Sequence, residues 1–304
     1  MKSNNLKELK TKFPNDILLN EKLSKYSWFN LGGPAEVFFK PKNEFELKKF
    51  LKICKNFNLK LTIIGAGSNT LIRDKGIKGA TIKLGAPFSF CNLVNNEIIE
   101  AGAATLDRKV SSFALDKSLT GFEFLSCIPG SIGGAIIMNS GCYNEEISKI
   151  LISIKTINHS GLEKIYYKED LDFFYRGTSL PKDEIIISAK LKGSKFSKEK
   201  ISEKQKNYLN KKKLAQPTGV KTCGSTFKNP ENNKAWKLIK ESGCQNLNFG
   251  DAKISDKHCN FFINEGHASS SDIEKLIKTV QSKVLKEQGI KLDLEIKVIG
   301  DSID

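Results

Sequence analysis

The stretch AEVFFKPKNEFELKKFLKICKNFNLKLTIIGAGSN, residues 35–69, places a strand, a helix and a second strand before a glycine-containing loop. Asn43 and Glu46 have the spacing of a capping box at the start of the helix. An apolar stripe predicts the buried face of this helix: Phe45, Leu47, Phe50, Leu51 and Cys54. The segment therefore predicts a β-α-β unit whose second strand ends at Gly65.

The rest of the chain alternates strand and helix patterns in mixed order, which predicts an α+β fold. Strand patterns lie around residues 80–85, 97–103, 150–158, 162–167 and 183–193, and a helix pattern covers 106–118. A lysine-rich helix begins near residue 196 and ends before Pro217. These patterns predict an N-terminal arm (1–26), a domain of two subdomains (27–78 and 79–195) and a C-terminal domain (196–304).

The C-terminal domain ends with a helix and a strand. Ser271 and Glu274 predict a capping box for this helix, and Gly289 predicts its end. The segment KLDLEIKVIG (291–300) alternates apolar and polar residues, which predicts a final strand. In that strand Glu295 faces away from the main apolar row.

The charge of the chain is strongly positive but diffuse. Its 304 residues carry a net charge of +15, yet only three of the 49 basic residues are arginine. Lysines spread over nearly every polar stretch favour a solvated surface over a nucleic-acid recognition stripe. No apolar run approaches the roughly 20 residues of a membrane span, and no secretory signal is visible. We expect a cytoplasmic protein, monomeric by default, with neither nucleic acid nor membrane as a partner.

The seven cysteines form a scattered set without a C-x-x-C pair. This pattern argues against a disulfide framework and against a zinc site. His258 and Cys259 are adjacent, which is poor spacing for two metal ligands. We therefore expect reduced thiols and no protein-bound metal.

Two glycine-containing segments are candidates for a phosphorylated cofactor. IIGAGSNTLIRD (63–74) resembles a dinucleotide fingerprint, but Thr70 stands at the third glycine position and no acidic residue follows at the expected distance. A strand that ends in such a loop still offers convergent N–H groups for a pyrophosphate. IPGSIGGAIIMNSGCY (128–143) permits close approach of the backbone to a flat ligand. Ordinary glycine turns remain the alternative for each segment.

Four polar residues stand out as candidates for chemistry or binding: Arg176, Ser225, His258 and Glu295. A serine nucleophile needs a histidine and carboxylate or a lysine base, and none is visible around Ser225. Arg176 is one of few arginines in a lysine-rich chain, which indicates a need for a planar, fixed-charge donor. An exposed ion pair for Arg176 and structural roles for the others remain open.

Seven motifs occur in the order found in the UDP-N-acetylenolpyruvoylglucosamine reductases, and residues 27–300 resemble that flavoenzyme family. The motifs are FNLGGPAEVFF (29–39), GAGSNTLIRD (65–74), IPGSIGGAIIMNSGCY (128–143), YRGTSL (175–180), QPTGVKTCGSTFKNP (216–230), SDKHCNFFIN (255–264) and LEIKVIG (294–300). The chain resembles the shorter subfamily, which lacks an inserted substrate loop and its tyrosine. Thr178 departs mildly from the serine of many relatives.

The resemblance implies an FAD-binding fold of the vanillyl-alcohol-oxidase (PCMH) type in two subdomains, followed by an α+β substrate domain. It implies an NADPH-dependent enzyme that converts UDP-N-acetylglucosamine enolpyruvate to UDP-N-acetylmuramate for peptidoglycan synthesis, and hence for cell-wall biogenesis, cell shape and division. FAD would bind at Gly65, Ala66, Gly67, Ser68, Asn69, Thr70, Pro129, Gly130, Ser131 and Gly134.

The same resemblance assigns catalytic roles to three residues. Ser225 would donate a proton, Arg176 would stabilise developing negative charge and Glu295 would assist. Lys228, Asn229 and His258 would bind the substrate, with a contribution from one of the lysines at 211–213. Another FAD oxidoreductase of the same fold, such as an alcohol or sugar oxidase, and more remotely a basic nucleic-acid-binding protein, remain alternatives.

Overall fold

The computed structural model describes residues 3–302. The first two residues of the predicted arm and the last two of the predicted C-terminal domain lie outside this range. The helices are α1 (Ser3–Lys12), α2 (Glu44–Asn56), α3 (Asp107–Asp116), α4 (Ile132–Ile137), α5 (Lys198–Ala215), α6 (Ala235–Glu241) and α7 (Ser270–Gln288).

The strands are short, and many contain only two or three residues. They are β1 (Ile17–Lys22), β2 (Pro34–Phe39), β3 (Leu61–Ile64), β4 (Thr70–Ile72), β5 (Ile77–Lys83), β6 (Cys91–Leu93), β7 (Ile98–Gly102), β8 (Leu119–Thr120), β9 (Gly141–Cys142), β10 (Glu145–Glu146), β11 (Leu151–Asn158), β12 (Glu163–Tyr167), β13 (Phe173–Phe174), β14 (Gly177–Thr178), β15 (Glu184–Lys192), β16 (Ser194–Lys195), β17 (Asn248–Phe249), β18 (Ala252–Ser255), β19 (His258–Asn264) and β20 (Lys297–Ile299).

Three sheets contain most of the longer strands. Their orders are β1-β2-β5-β3, β12-β11-β15-β7-β6 and β17-β18-β19. In the first sheet β3 and β5 run parallel, joined in sequence by a loop and the short strand β4. The second sheet is antiparallel at every pairing. Within residues 3–302, parallel and antiparallel pairs together with seven α-helices give the mixed α+β character predicted from the sequence.

The chain divides into two compact units. The first comprises residues 3–19, Val37–Ala66 and Gly79–Lys212 of the described range, and the second comprises Asn20–Glu36, Gly67–Lys78 and 213–302. The first unit has two apolar cores, one of which stacks Phe39 on Phe50 at 3.9 Å between ring centroids. The second unit has one core, built on α6, α7 and β19. The domain boundaries proposed from the sequence stay a prediction.

The start of α2 follows the predicted cap in part. The Asn43 side chain accepts a hydrogen bond from the Glu46 N–H at 2.9 Å, whereas the Glu46 carboxylate accepts from the N–H of Lys42 at 3.0 Å. Phe45 was expected on the buried face and this prediction is wrong, because its side chain is 74% exposed. In the first turn, the buried stripe begins at Leu47 instead.

The cap predicted for α7 is also wrong. Ser269 and Asp272 form the capping box, two residues before the predicted pair. Ser271 is engaged elsewhere, because its N–H and hydroxyl both donate to the carboxylate of Asp74. An acidic side chain from a distant part of the sequence therefore accepts the hydrogen bonds of Ser271 in the first turn of this helix. No local sequence pattern reveals this contact.

The final strand is shorter than its alternation predicts. Only Lys297–Ile299 form a regular strand, parallel to β4. The preceding residues bond instead to the segment around Thr226, whose carbonyl accepts from the N–H of Glu295 at 2.9 Å. The alternation of burial survives around this point, since Leu292 and Ile296 are buried and Asp293 is exposed.

Candidate functional site

Ser225 lies in an extended segment of the second unit, beside β19. It pairs with Phe261 in an antiparallel bridge, and the next residue, Thr226, donates its N–H to the carbonyl of Asn260 at 2.8 Å. The Asn260 side chain then bonds both backbone groups of Phe227, at 2.9 and 2.8 Å. A backbone fixed at and directly after the serine restricts where this half-buried residue places its hydroxyl.

Glu295 lies seventy residues after Ser225 in the sequence, but its backbone contacts the residue next to this serine. Its N–H donates to the carbonyl of Thr226, and its own carbonyl accepts from the Asn69 side chain at 3.1 Å. The Glu295 side chain is half-buried. The second unit thus places two of the three predicted catalytic residues, Ser225 and Glu295, on adjacent backbone segments.

His258 begins β19 and belongs to the same neighbourhood. Its Nδ1 accepts a hydrogen bond from the N–H of Asn260 at 3.2 Å, which leaves Nε2 as the site of the proton in the neutral ring. The ring packs edge-to-face on Phe261, with centroids 4.8 Å apart. Burial lowers the pKa of His258 below its usual value, so the imidazole is neutral at neutral pH.

Lys228 and Asn229 follow Ser225 at a distance of three and four residues. They differ in how far their side chains take part in hydrogen bonds that support the fold. The Asn229 side chain accepts from the N–H of Ala235 at 3.0 Å, so part of its hydrogen-bonding capacity supports the start of α6. Lys228 is half-buried. Partial burial and then the positive charge of Lys228 lower the pKa of Lys297. The sequence pattern does not single out Lys297, because it occupies one polar position of an alternating strand.

The GAGSN loop contributes residues to both units. In the first unit, the Lys83 ammonium donates to the carbonyl of Gly65 at 2.5 Å. In the second unit, the carbonyl of Gly67 accepts from the N–H of Trp28 at 3.0 Å, and Asn69 accepts from the N–H of Lys297 at 2.9 Å. Hydrogen bonds to the carbonyls of Gly65, Gly67 and Asn69 therefore fix the backbone of this loop.

The glycines of this loop are required for different reasons. Gly67 has a φ of +72°, and a Cβ there would lie 1.8 Å from the carbonyl oxygen of Tyr26. A Cβ on Gly65 would meet only the Ser131 hydroxyl, at 3.3 Å. The fold needs a glycine at 67, whereas Gly65 leaves space beside the second glycine segment.

We expect substitution of Gly67 to affect mainly the stability of the fold and substitution of Gly65 to affect mainly cofactor binding. Gly67→Ala should lower the free energy of unfolding by about 2 kcal/mol or more, because it combines left-handed strain with a clash. Gly65→Ala should change it by less than about 0.5 kcal/mol, yet weaken FAD binding about tenfold by filling space. Thermal melts and flavin titration measure the two effects. Equal melting and equal FAD affinity in both variants would contradict this assignment.

The segment 128–134 fits a flavin cofactor in the first unit. Its helix, α4, begins after Ser131, and this serine makes no side-chain cap bond with the helix. The Cβ positions built on Gly65 and Gly134 lie 3.3 and 3.8 Å from the Ser131 hydroxyl, so the two predicted cofactor segments converge at this residue. Small residues from two segments next to an uncommitted hydroxyl form a cradle suited to the phosphates or the ring of FAD.

Arg176 lies in the first unit, in the two-residue turn that joins β13 and β14. Its φ of +60° is left-handed, a conformation that costs a non-glycine residue about 1 kcal/mol. The guanidinium lies over the Tyr175 ring at 4.9 Å and donates to the carbonyl of Gly141 at 3.4 Å. The strained backbone and the restricted guanidinium of Arg176 favour a specific binding or catalytic role over that of a mobile surface charge.

The three candidate lysines at the end of α5 have distinct environments. Lys212 donates to the carbonyl of Cys127 at 2.7 Å, and burial lowers its pKa. Lys211 lies over the Tyr143 ring at 5.9 Å, and the carbonyl of Lys213 accepts from Lys257. Lys212 therefore supports the residue that precedes the 128–134 segment.

Two family models match the chain: "UDP-N-acetylenolpyruvoylglucosamine reductase, C-terminal domain" over residues 215–299 and "FAD binding domain" over residues 35–164. A UDP-N-acetylenolpyruvoylglucosamine reductase of Pelagibacter ubique is 46% identical, covering 95% of this chain and 97% of the relative. The chain belongs to the UDP-N-acetylenolpyruvoylglucosamine reductase family. Another member, from Orientia tsutsugamushi (strain Ikeda), is 44% identical over 92% of this chain and 93% of its own.

A solved reductase of the family, from Thermus caldophilus, has the same fold. It superposes with a TM-score of 0.80 at 32% identity, covering 93% of this chain and 98% of its own. The comparisons confirm the predicted family, the enzyme class, the α+β fold class and the FAD-binding domain. The matched ranges include every predicted cofactor residue, the substrate residues Lys228, Asn229 and His258, and also Ser225 and Glu295, but neither Arg176 nor the lysines at 211–213. The individual roles of these residues stay predictions.

Two further observations concern the described residues alone. Within residues 3–302, no helix combines the length and apolar character that crossing a membrane requires. In the same part of the chain, no group of three or more His, Cys, Asp or Glu side chains is arranged to hold a metal ion.

Proposed function

We propose that this chain is an NADPH-dependent reductase that converts UDP-N-acetylglucosamine enolpyruvate to UDP-N-acetylmuramate. The observation that carries the proposal is 46% identity to a named reductase over nearly the full length of both chains. The convergence of Gly65, Ser131 and Gly134 in the first unit supports a bound FAD, which supplies a hydride to the substrate. The residues that hold this cofactor are Gly65, Ala66, Gly67, Ser68, Asn69, Thr70, Pro129, Gly130, Ser131 and Gly134.

Ser225 acts as the proton donor. Addition of hydride to the terminal carbon of the enol ether leaves negative charge on the neighbouring carbon and its carboxylate. Only one proton is then needed, so the serine requires no histidine to make it a nucleophile. The backbone bonds of Thr226 and Phe227 on the C-terminal side support a fixed hydroxyl at this position.

Arg176 and Glu295 assist in different ways. The Arg176 guanidinium stabilises the charge that develops on the carboxylate, because its charge is permanent and its donors are planar. Its bond to Gly141 and its contact with Tyr175 support a restricted orientation. Glu295 orients or recharges the proton donor, and its backbone bond to Thr226 supports this role.

The substrate's diphosphate is bound by the basic pair Lys228 and Lys297, with His258 and Asn229 as neutral hydrogen-bond partners. The N–H of Lys228 donates to the carbonyl of Asp293 at 2.8 Å, which holds Lys228 beside the segment that leads to Lys297 and supports an anion site there. We further propose a cytoplasmic monomer organised as residues 1–26, 27–195 and 196–304. Its partners are the substrate and NADPH, without nucleic acid or membrane.

Separate half-reactions distinguish this proposal from an oxidase of the same fold. We expect the purified holoprotein to lose its oxidised-flavin absorbance on anaerobic addition of NADPH and to regain it on addition of the enolpyruvyl sugar nucleotide. An oxidase instead is reduced by an alcohol or sugar and reoxidised by oxygen. A colourless protein without releasable flavin, or recovery with oxygen only, would contradict the proposal.

A further inference from the structure

Trp236 is a large apolar residue of α6 that is not part of the core of the second unit. This core takes Ala235, Leu238 and Ile239 from the helix, whereas Trp236 is 41% exposed. Burial of an indole ring would stabilise the fold more than burial of any of these three side chains. A single exposed apolar residue needs no explanation by itself. The neighbours of Trp236, however, indicate a specific use of the exposed ring.

Two of the residues predicted to bind the substrate lie beside Trp236. The centroid of its ring is 6.4 Å from that of the His258 ring, and the two ring planes are tilted by 55°. The residue before Trp236 is Ala235, which donates its N–H to the side chain of Asn229 at 3.0 Å. All four residues belong to the second unit. The exposed indole is therefore next to the groups proposed to bind the diphosphate of the substrate.

The chemistry of the substrate requires a binding surface at this place. A uridine diphosphate sugar carries a planar base that is separated from its diphosphate by one ribose. When His258 and Asn229 contact the diphosphate, the base must lie near them, where its two apolar faces gain from being shielded from water. An exposed indole provides such a surface, because aromatic side chains stack on nucleobases without any particular hydrogen-bond pattern.

We propose that the indole of Trp236 stacks on the uracil ring of the bound substrate, which makes Trp236 a substrate-binding residue. The inference rests on the proposed function, because it extends the diphosphate site described there. The uracil does not change during the reaction, so stacking stabilises the bound substrate and the transition state equally. Trp236 should therefore affect the KM for the sugar nucleotide and not kcat.

The two tryptophans of the chain allow a direct optical test. Trp28 is also exposed and also belongs to the second unit, so it is the matched control. Trp28→Phe leaves Trp236 as the fluorescent indole, and Trp236→Phe leaves Trp28. Tryptophan emission of each holoprotein is recorded while UDP, inorganic pyrophosphate or NADP⁺ is added. We expect UDP to quench the emission of Trp28→Phe and not that of Trp236→Phe. Pyrophosphate, which has no ring, and NADP⁺ should quench neither.

Calorimetric titration gives the size of the effect. We expect Trp236→Ala to weaken UDP binding about 5-fold to 150-fold, which is the range for one base stacked on one aromatic side chain. Trp236→Phe keeps a ring and should weaken UDP binding less than about fivefold. The affinity for pyrophosphate should stay the same in both variants. In steady-state turnover the KM for the enolpyruvyl sugar nucleotide should rise in Trp236→Ala, whereas kcat and the KM for NADPH keep their parental values.

Equal UDP affinity in the parent and in a folded Trp236→Ala variant would overturn the proposal. So would the absence of quenching when UDP binds to Trp28→Phe, a result that does not depend on whether any Trp236 variant folds. Quenching of Trp236 by NADP⁺ and not by UDP would also overturn it, because the indole would then contact the reductant.

Failure of the proposed function gives a different result. A flavin-loaded parent protein that neither binds UDP nor turns over the enolpyruvyl sugar nucleotide would overturn the proposed function, and the inference with it. A parent protein that turns over this substrate while Trp236 does not respond to bound UDP would overturn the inference alone.

Discussion

Ser225→Ala is expected to slow reoxidation of the reduced flavin by the enolpyruvyl substrate about 10²-fold to 10⁴-fold. Reduction of the flavin by NADPH should proceed at the parental rate, because this step needs no proton from the serine. The physical reason is the loss of a single positioned donor at the carbon that carries negative charge after hydride addition. Anaerobic stopped-flow absorbance of each half-reaction measures the two rates separately.

Ser242→Ala provides the matched control in the same unit. Its hydroxyl is buried at the end of α6 and has no hydrogen-bond partner among residues 3–302, so Ser242→Ala deletes the same atom as Ser225→Ala at another position of the unit. We expect both half-reactions to keep their parental rates in this variant. If Ser225→Ala also kept the parental rates of both half-reactions, Ser225 would have no part in the reaction.

Arg176→Lys is expected to slow the same substrate-dependent step about 10²-fold to 10³-fold, the range found when one charge-stabilising donor is removed. Lysine keeps a positive charge, but it loses the planar donors and the stacking on Tyr175. The effect should appear as a lower maximal rate of reoxidation at saturating substrate, with NADPH reduction little changed. Stopped-flow titration with substrate separates the maximal rate from binding.

Arg108→Lys is the corresponding control, because Arg108 is exposed on α3 of the same unit. It should leave both half-reactions unchanged. If Arg176→Lys only weakened substrate binding and kept the maximal rate, Arg176 would bind the ground state rather than stabilise developing charge.

The sequence predicts elements well where the pattern is local. The cap on Asn43, the strand and helix series and the end of α5 before Pro217 all follow from neighbouring residues. Predictions fail where distant residues take over. Asp74 occupies the N–H and hydroxyl of Ser271 and shifts the capping box. Thr226 takes the N–H of Glu295, so the final strand begins only at Lys297.

The candidate site shows the same limit. Family motifs identify Ser225 and Glu295, but only the fold shows that Thr226 and Glu295 share a backbone hydrogen bond. Trp236 reads in the sequence as an ordinary apolar residue of a short helix. Its position beside the ring of His258 depends on a segment more than twenty residues away. Such long-range contacts leave no periodic signal.

Anaerobic turnover tests the central claim most directly. The holoprotein is mixed with NADPH and the enolpyruvyl sugar nucleotide, and both NADPH oxidation and the lactyl ether product are quantified. The proposed function predicts NADPH consumption beyond one equivalent per flavin only when that substrate is present, with formation of UDP-N-acetylmuramate equimolar to this further NADPH consumption. Absence of substrate-dependent NADPH oxidation in a flavin-loaded protein, or oxidation without the reduced product, would contradict it.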